Sequence, residues 1–289
     1  MDEQIVAIIP TDYFPSLGEI PQPPKTLRMR GTLAASDGTL FIGVVGSRKF
    51  TSYGKQACIS LIKGLAGYPV TIVSGLALGI DGIAHQAAID ERIHTIAIPG
   101  SGLSWDVLYP LQHKTLAQDI LQNGGALLSE FKDSEIGAPW NFPKRNRLIA
   151  GICAMIIVIE AEEKSGTLIT ARLATDYNKI VGAVPGPITS STSKGAHQLL
   201  KLGAVPITDA TDILRELGLD YGASRSTRPT CLLTDEEEKI VSILHDGPKL
   251  KDHIMTELEL EPSSGNMTFS TLEIKGVIRE VLGLVELVK

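Results

Sequence analysis

The sequence predicts an α/β protein whose body is a doubly wound, mostly parallel sheet, followed by a small helical C-terminal unit. Three observations carry this. Short β-branched runs alternate with helix-like stretches from Phe41 to about Leu217. The runs are apolar at consecutive positions, so both sheet faces are covered, as in parallel sheets. Several runs end in Gly or Ser, where a strand turns into a helix. With 289 residues, 43% hydrophobic and 21% charged, the chain is apolar enough and long enough to fold around such a sheet.

The strand runs are 41–45, 70–73, 95–98, 126–128, 155–159, 180–184 and 204–207. Helical spacing of about 3.6 residues places helices over 56–65, 80–89, 115–121, 168–177 and 196–202. The alternation defines a Rossmann-like domain over 39–221. Pro21, Pro23 and Pro24 mark residues 1–38 as an extended N-terminal extension. Residues 222–233, rich in Gly, Ser, Thr and Pro, read as a linker.

Residues 234–289 form a second unit. Thr234 with Glu237 gives a capping-box start ahead of Ile240, Val241, Ile243 and Leu244, and Gly247-Pro248 ends that helix. Helices near 249–258 and 268–281, then an edge strand over 284–288, predict a winged-helix-like fold. Such a fold ordinarily points to duplex DNA. Here residues 232–289 carry 6 Lys+Arg against 12 Asp+Glu, which accounts for the whole formal charge of −6. That acidity disfavours a grip on duplex phosphate and favours a protein-contact role.

The longest apolar run, 149–159, is too short for a membrane-spanning helix of about 18 residues. Met1-Asp2-Glu3-Gln4 offers no basic leader region, and Cys58, Cys153 and Cys231 lie far apart without metal-site or disulfide spacing. A cytoplasmic protein with no metal and no cofactor is expected.

Two windows are free of acids, 47–55 with Arg48, Lys49 and Lys55, and 140–150 with Lys144, Arg145 and Arg147. The turn Gly46-Ser47-Arg48 closes the first strand, and its amides can face an anion with Arg48 adding donors; it reads equally as a tight turn with a surface arginine. No GxGxxG or Walker pattern accompanies it. Trp140-Asn141-Phe142-Pro143-Lys144-Arg145-Asn146-Arg147 puts aromatics beside cations, the mixture that holds unpaired nucleic acid. The bland alternative is a helix start with core aromatics and solvated basic residues. Ser165, Gly166 and Thr167 form another helix-start anion site or an ordinary N-cap. Lys194 is a plain loop lysine or borders the cleft. Asp81 and His85, one helical turn apart, read as a helix-fixing hydrogen-bonded pair rather than as metal ligands. Ser74, Ser101 and Ser129 sit in no nucleophile elbow.

Seven motifs in order resemble the DNA-processing protein A (DprA/Smf) family. They are Gly46-Ser47-Arg48, the stretch from Ser74 to His85, Tyr109-Pro110, Leu128-Ser129-Glu130, the stretch from Phe142 to Gly151, the stretch from Ser165 to Ala171, and Ala183-Val184-Pro185-Gly186. The resemblance covers about 13–289 and is most specific over 41–207; residues 271–276 resemble the family's winged-helix segment. It implies a homodimer that binds and protects single-stranded DNA and loads RecA recombinase in natural transformation and recombination, without catalysing a reaction. The family's pocket carries over onto Ser47, Arg48, Phe142, Lys144, Asn146 and Arg147, with Ser165, Gly166 and Thr167 nearby. Arg48, Lys144 and Arg147 are then expected to neutralise phosphates and Phe142 to stack a base or shape the pocket.

Two departures stand out. The family's N-terminal SAM-like helical domain is missing, leaving Tyr13-Phe14-Pro15, and Leu111-Gln112-His113 follows Tyr109-Pro110 where relatives commonly show a Lys and an Asn. A different-class reading is a nucleotide-binding sensor or nucleoside-monophosphate phosphoribohydrolase of the LOG-like Rossmann group. There Thr170 stands where those enzymes carry their catalytic Glu, so an acid–base step lacks its carboxylate.

Overall fold

The computed structural model describes residues 4–33, 38–219, 234–244, 249–258, 262–274, 277–281 and 284–287. The chain divides into two compact units, Met1–Ala223 and Ser224–Lys289. The proposed linker 222–233 and the helix stop at Gly247-Pro248 lie outside the described residues.

The first unit runs β1 (Val6–Ile8), α1 (Pro10–Tyr13), β2 (Leu27–Gly31), β3 (Leu40–Val45), α2 (Ser52–Lys63), β4 (Val70–Ser74), α3 (Ile80–Asp90) and β5 (Thr95–Ala97). It continues with α4 (Lys114–Gln122), β6 (Ala126–Ser129), α5 (Asn141–Ile152), β7 (Met155–Val158), α6 (Gly166–Asp176), β8 (Ile180–Ala183), α7 (Lys194–Lys201), β9 (Val205–Pro206) and α8 (Ala210–Glu216). Among the described residues, nine strands form one sheet in the order β1-β2-β6-β5-β4-β3-β7-β8-β9. Strands β3 to β9 pair in parallel, with Ile42 opposite both Ile72 and Met155. The winding runs outward from β3 through β4, β5 and β6, then restarts on the other side of β3 with β7. That reversal is a topological switch point, where the strand-end loops part and leave a crevice.

The apolar strands feed two cores. Ile156 and Val158 of β7 join Leu148, Ile149 and Ala171 on one face, while Met155 and Ile157 join Ile62, Ile80 and Ile213 on the other. The run 149–159 is therefore not one element. Its first four residues finish α5 and Met155 opens β7, with Cys153 extended between them.

The N-terminal segment departs from expectation. Instead of an extension outside the sheet, it contributes two antiparallel strands, with β2 paired to β6 from Arg28↔Ser129 to Gly31↔Ala126. Phe14 and Leu17 are buried, Phe14 meets Phe41 edge-on at 5.3 Å, and Ser16 Oγ donates to the Gly151 carbonyl at 2.7 Å. Burying one such side chain stabilises by about 1.5–3 kcal/mol, enough to hold this segment on the sheet.

The second unit contains α9 (Asp235–Leu244), β10 (Lys249–Leu250), α10 (Lys251–Glu257), α11 (Pro262–Ile274), β11 (Ile278–Val281) and β12 (Leu284–Leu287). Its sheet is antiparallel with β12 central, and Ile240, Leu244, Ile254, Phe269, Leu272 and Val285 form its core. The capping box is present: the Thr234 amide donates to Glu237 Oε2 at 2.8 Å and the Glu237 amide to Thr234 Oγ1 at 3.4 Å. No helix among the described residues is long and apolar enough to cross a membrane.

Candidate nucleic-acid interface

At the switch point the strand-end loops enclose a cavity of about 340 Å³. Three elements supply most of its wall, and the start of α3 adds Asp81.

The first is the turn after β3. Gly46 is required there because an added Cβ would lie 2.7 Å from Ile80, whose helix starts directly alongside. Ile80 donates its amide to the Ser47 carbonyl at 3.2 Å. The Ser47 hydroxyl donates to the Lys49 carbonyl and accepts from the Lys49 amide, which tightens the turn and leaves the Arg48 and Lys49 side chains exposed.

The second element is α5. Phe142, Arg145, Asn146 and Ile149 line the cavity, the i, i+3, i+4, i+7 spacing of one helix face. Phe142 packs against Gly100, where a Cβ would sit 2.6 Å from its ring, and the Arg48 guanidinium lies 5.3 Å from the ring centroid. A cation over an aromatic face is attracted by about 0.5–1 kcal/mol at exposed sites, which pre-places Arg48 at the cavity mouth. Arg145 is 5% exposed and donates through Nη1 to the Gly75 and Ile98 carbonyls and through Nε to Asn146 Oδ1 at 3.1 Å. Burial pulls its pKa down to about 10, with Asp81 working against that shift and Arg48 adding to it. It stays cationic at neutral pH.

The third element is the start of α6. The Ser165 hydroxyl caps the helix by accepting from the Thr167 amide at 3.2 Å, and Thr167 Oγ1 donates to the Gly46 carbonyl at 3.1 Å, tying α6 to the β3 turn. A Cβ on Gly166 would meet nothing within 4 Å. The positive end of α6 thus opens onto the cavity.

Two carboxyls also line it, Asp81 and Glu162. Burial raises the Asp81 pKa above the usual carboxylate range, against the pull of Arg145 and the amides of Ala77 and Gly75. Asp81 and His85 do not bond each other: Asp81 Oδ2 accepts from the Gly75 amide at 3.0 Å, and His85 Nδ1 meets Thr95 Oγ1 at 2.8 Å. Among the described residues no group of three or more His, Cys, Asp or Glu is placed to hold a metal. The Ser74 and Ser129 hydroxyls donate to backbone carbonyls, and burial pushes the Cys58 thiol up to about 12.

Of the residues singled out from sequence, Gly46, Ser47, Arg48, Phe142, Asn146, Ser165, Gly166 and Thr167 come together in this wall. Lys144 and Lys194 are exposed and outside it. Arg147 is also outside it, held by Glu130 through Nη2 at 2.6 and 2.5 Å. The reason is helical phase: Lys144 and Arg147 sit on a different face of α5 from Phe142, Arg145 and Ile149. Sequence reading missed Arg145, Lys49 and Asp81 as cavity residues, although the spacing from Phe142 would have found Arg145.

A doubly wound α/β fold with a cleft at its switch point, lined by Arg48, Lys49, Arg145 and the start of α6, places the chain among Rossmann-like proteins. The family model for DNA recombination-mediator protein A matches residues 4–218. The chain belongs to that family, also known as DprA/Smf. It is 41% identical to Protein Smf of Escherichia coli (strain K12) over 213 residues, 73% of this chain and 56% of that one. It is 41% identical to the DNA processing protein DprA of Streptococcus pneumoniae over 208 residues, 71% of each. The match therefore spans little more than half the length of the E. coli relative. Among solved structures, the X-ray structure of DprA from S. pneumoniae aligns with a TM-score of 0.67 at 38% identity, covering 75% of each chain. DNA processing protein A from Helicobacter pylori, solved to describe its single-stranded DNA binding mode, aligns at 0.64 and 31% identity, covering 75% of this chain and 96% of that one.

Proposed function

We propose that the chain binds single-stranded DNA through its backbone at the switch-point cleft, as a carrier and not as an enzyme. The observation that supports this most directly is the convergence of Arg48, Arg145 and the open α6 start on one cavity. Two guanidiniums and a helix N-terminus form a phosphate cradle. The single-stranded DNA binding described for the H. pylori relative agrees with it. Family membership extends the reading to recombination: the bound strand is handed to RecA recombinase, during natural transformation among other settings, by a cytoplasmic homodimer. The helix-strand-helix-helix-strand-strand order of the second unit supports a winged-helix-like fold, read here as a protein-contact module because of its acidity.

The phosphoribohydrolase reading is weaker. Thr170, at the position of those enzymes' catalytic Glu, lines the cavity but is a hydroxyl, 2% exposed.

Fluorescence anisotropy of the full chain with labelled dT oligonucleotide, duplex DNA and RNA tests the proposal. Single-stranded DNA is expected to bind best, and both Arg48→Ala and Gly166→Leu, which fills the open cavity, weaken it at least about tenfold. Unchanged affinity in both variants refutes the site.

A further inference from the structure

Beside the cleft, Tyr109 packs next to Phe142. Its ring centroid is 5.7 Å from that of Phe142 with a 55° tilt, and the residue is 44% exposed. The two rings, Arg48, Ala77 and Leu78 border a crevice of only about 20 Å³. Nothing the size of a base fits between them, so the accessible aromatic surface here is the outward part of Tyr109. Phe142 itself is engaged, by Gly100 on its ring and by the Arg48 guanidinium.

Tyr109 is also firmly mounted. Its amide donates to Ser101 Oγ at 3.1 Å, and the Ser101 carbonyl in turn accepts from Ser129 Oγ at 2.7 Å. Gly137 presses so close that a Cβ there would lie 3.2 Å from Tyr109 Cβ. A partly exposed ring on a fixed backbone, beside the cation Arg48, is what a base-stacking platform needs, because little backbone ordering entropy is lost when a base lands on it. Other exposed aromatics differ: Tyr53 spends its hydroxyl on the Pro185 carbonyl at 2.5 Å, Trp140 has no ring partner among the described residues, and Tyr13 and Phe50 line neither the cleft nor this crevice.

We propose that Tyr109 stacks an unpaired base of the strand whose phosphates occupy the cleft, while Phe142 shapes the cleft and carries Arg48. This rests on the single-stranded DNA reading above and assigns the part of the ligand that the cationic wall does not read. The stack involves a π-face common to all bases, so it confers a preference for bases over bare backbone and none for sequence.

The test compares a dT oligonucleotide with an abasic tetrahydrofuran strand of equal length and charge, both bound to the full chain. The wild type is expected to favour dT by about tenfold. Tyr109→Ala reduces dT binding to the level of the abasic strand while leaving abasic binding intact, which also shows that the variant is folded. Tyr109→Phe restores the preference, and Arg48→Ala weakens both strands while keeping it. A Tyr109→Ala protein that still favours dT overturns the assignment, as does loss of the preference in Trp140→Ala instead. Wild type that binds both strands equally sinks the platform alone; wild type that binds neither sinks the cleft reading as well.

Discussion

Arg48 and Arg147 come from the same two acid-free windows, yet the structure gives them opposite fates, and salt titration separates them. Arg48 is exposed at the cavity mouth, whereas Arg147 is clasped by Glu130 at 2.5 and 2.6 Å, the two side chains 14% and 27% exposed. Each cation that neutralises a single-strand phosphate steepens the plot of log affinity against log salt by about 0.7. With Arg48, Lys49 and Arg145 on the wall, the wild-type slope is expected near about −2. Arg48→Ala should relax it to about −1.4, so the gap between wild type and variant narrows about 2.6-fold between about 50 and about 200 mM salt. Arg147→Ala should leave the slope unchanged and instead cost about 1–3 kcal/mol of stability, because Glu130 is left partly buried without its partner. Anisotropy across the salt series gives the slopes and urea unfolding gives the stability. A slope that falls equally in both variants refutes the division of roles drawn from the ion pair.

Two other perturbations probe the cleft's foundations. Gly75→Ala puts a Cβ 2.3 Å from Arg145 Nη1; displacing a guanidinium pinned on two carbonyls should cost about 1–3 kcal/mol in urea unfolding and weaken strand binding together, and a variant normal in both would show that Arg145 yields freely. His85, fully buried, has its pKa lowered to about 3, by burial first and then by His113 and Arg145. The unfolded chain takes up this proton below its ordinary value of 6.5 while the folded chain refuses it. The contribution is therefore fully present above about pH 6.5 and is lost as pH falls toward about 3, at up to about 1.4 kcal/mol per pH unit. His85→Asn keeps a donor for Thr95 and cannot titrate, so its stability between about pH 6 and about pH 4 should fall less steeply; parallel curves would place the acid sensitivity elsewhere.

Most of the strands that proved legible, β4 to β7 above all, are buried on both faces, since a continuous β-branched run has no other economical fold in this setting. β2 escaped because Leu27 and Met29 alternate with Arg28 and Arg30, a polar-looking pattern that becomes a strand only when β6 offers its edge. The same logic divides the site. Gly46-Ser47-Arg48 and Ser165-Gly166-Thr167 were visible because a Gly or Ser closing a strand is a local signal. Lys144 and Arg147 enter through the charge of their window and through the family resemblance; a count of charges in a window ignores that a helix turns them away from Phe142 and Arg145. Arg145, held by Gly75 and Ile98 across 70 and 47 residues of chain, acquires its role from tertiary contacts that composition does not encode.

The charge layout ties these points to the choice of ligand. Residues 1–231 balance 21 Lys+Arg against 21 Asp+Glu, so this body exerts little general pull on nucleic acid. At the switch point Arg48 and Lys49 flank a recess with Arg145 buried in its wall, beside Asp81, whose pKa burial raises, and Glu162. On the proposed reading, a duplex, with its phosphates along a stiff rod, reaches only the exposed pair. A single strand bends, so it can lower a phosphate toward Arg145 and the open α6 start while a base turns outward. On the proposed reading, selectivity for the unpaired strand comes from the depth at which one cation is set, which a neutral body can supply and a uniformly basic surface cannot.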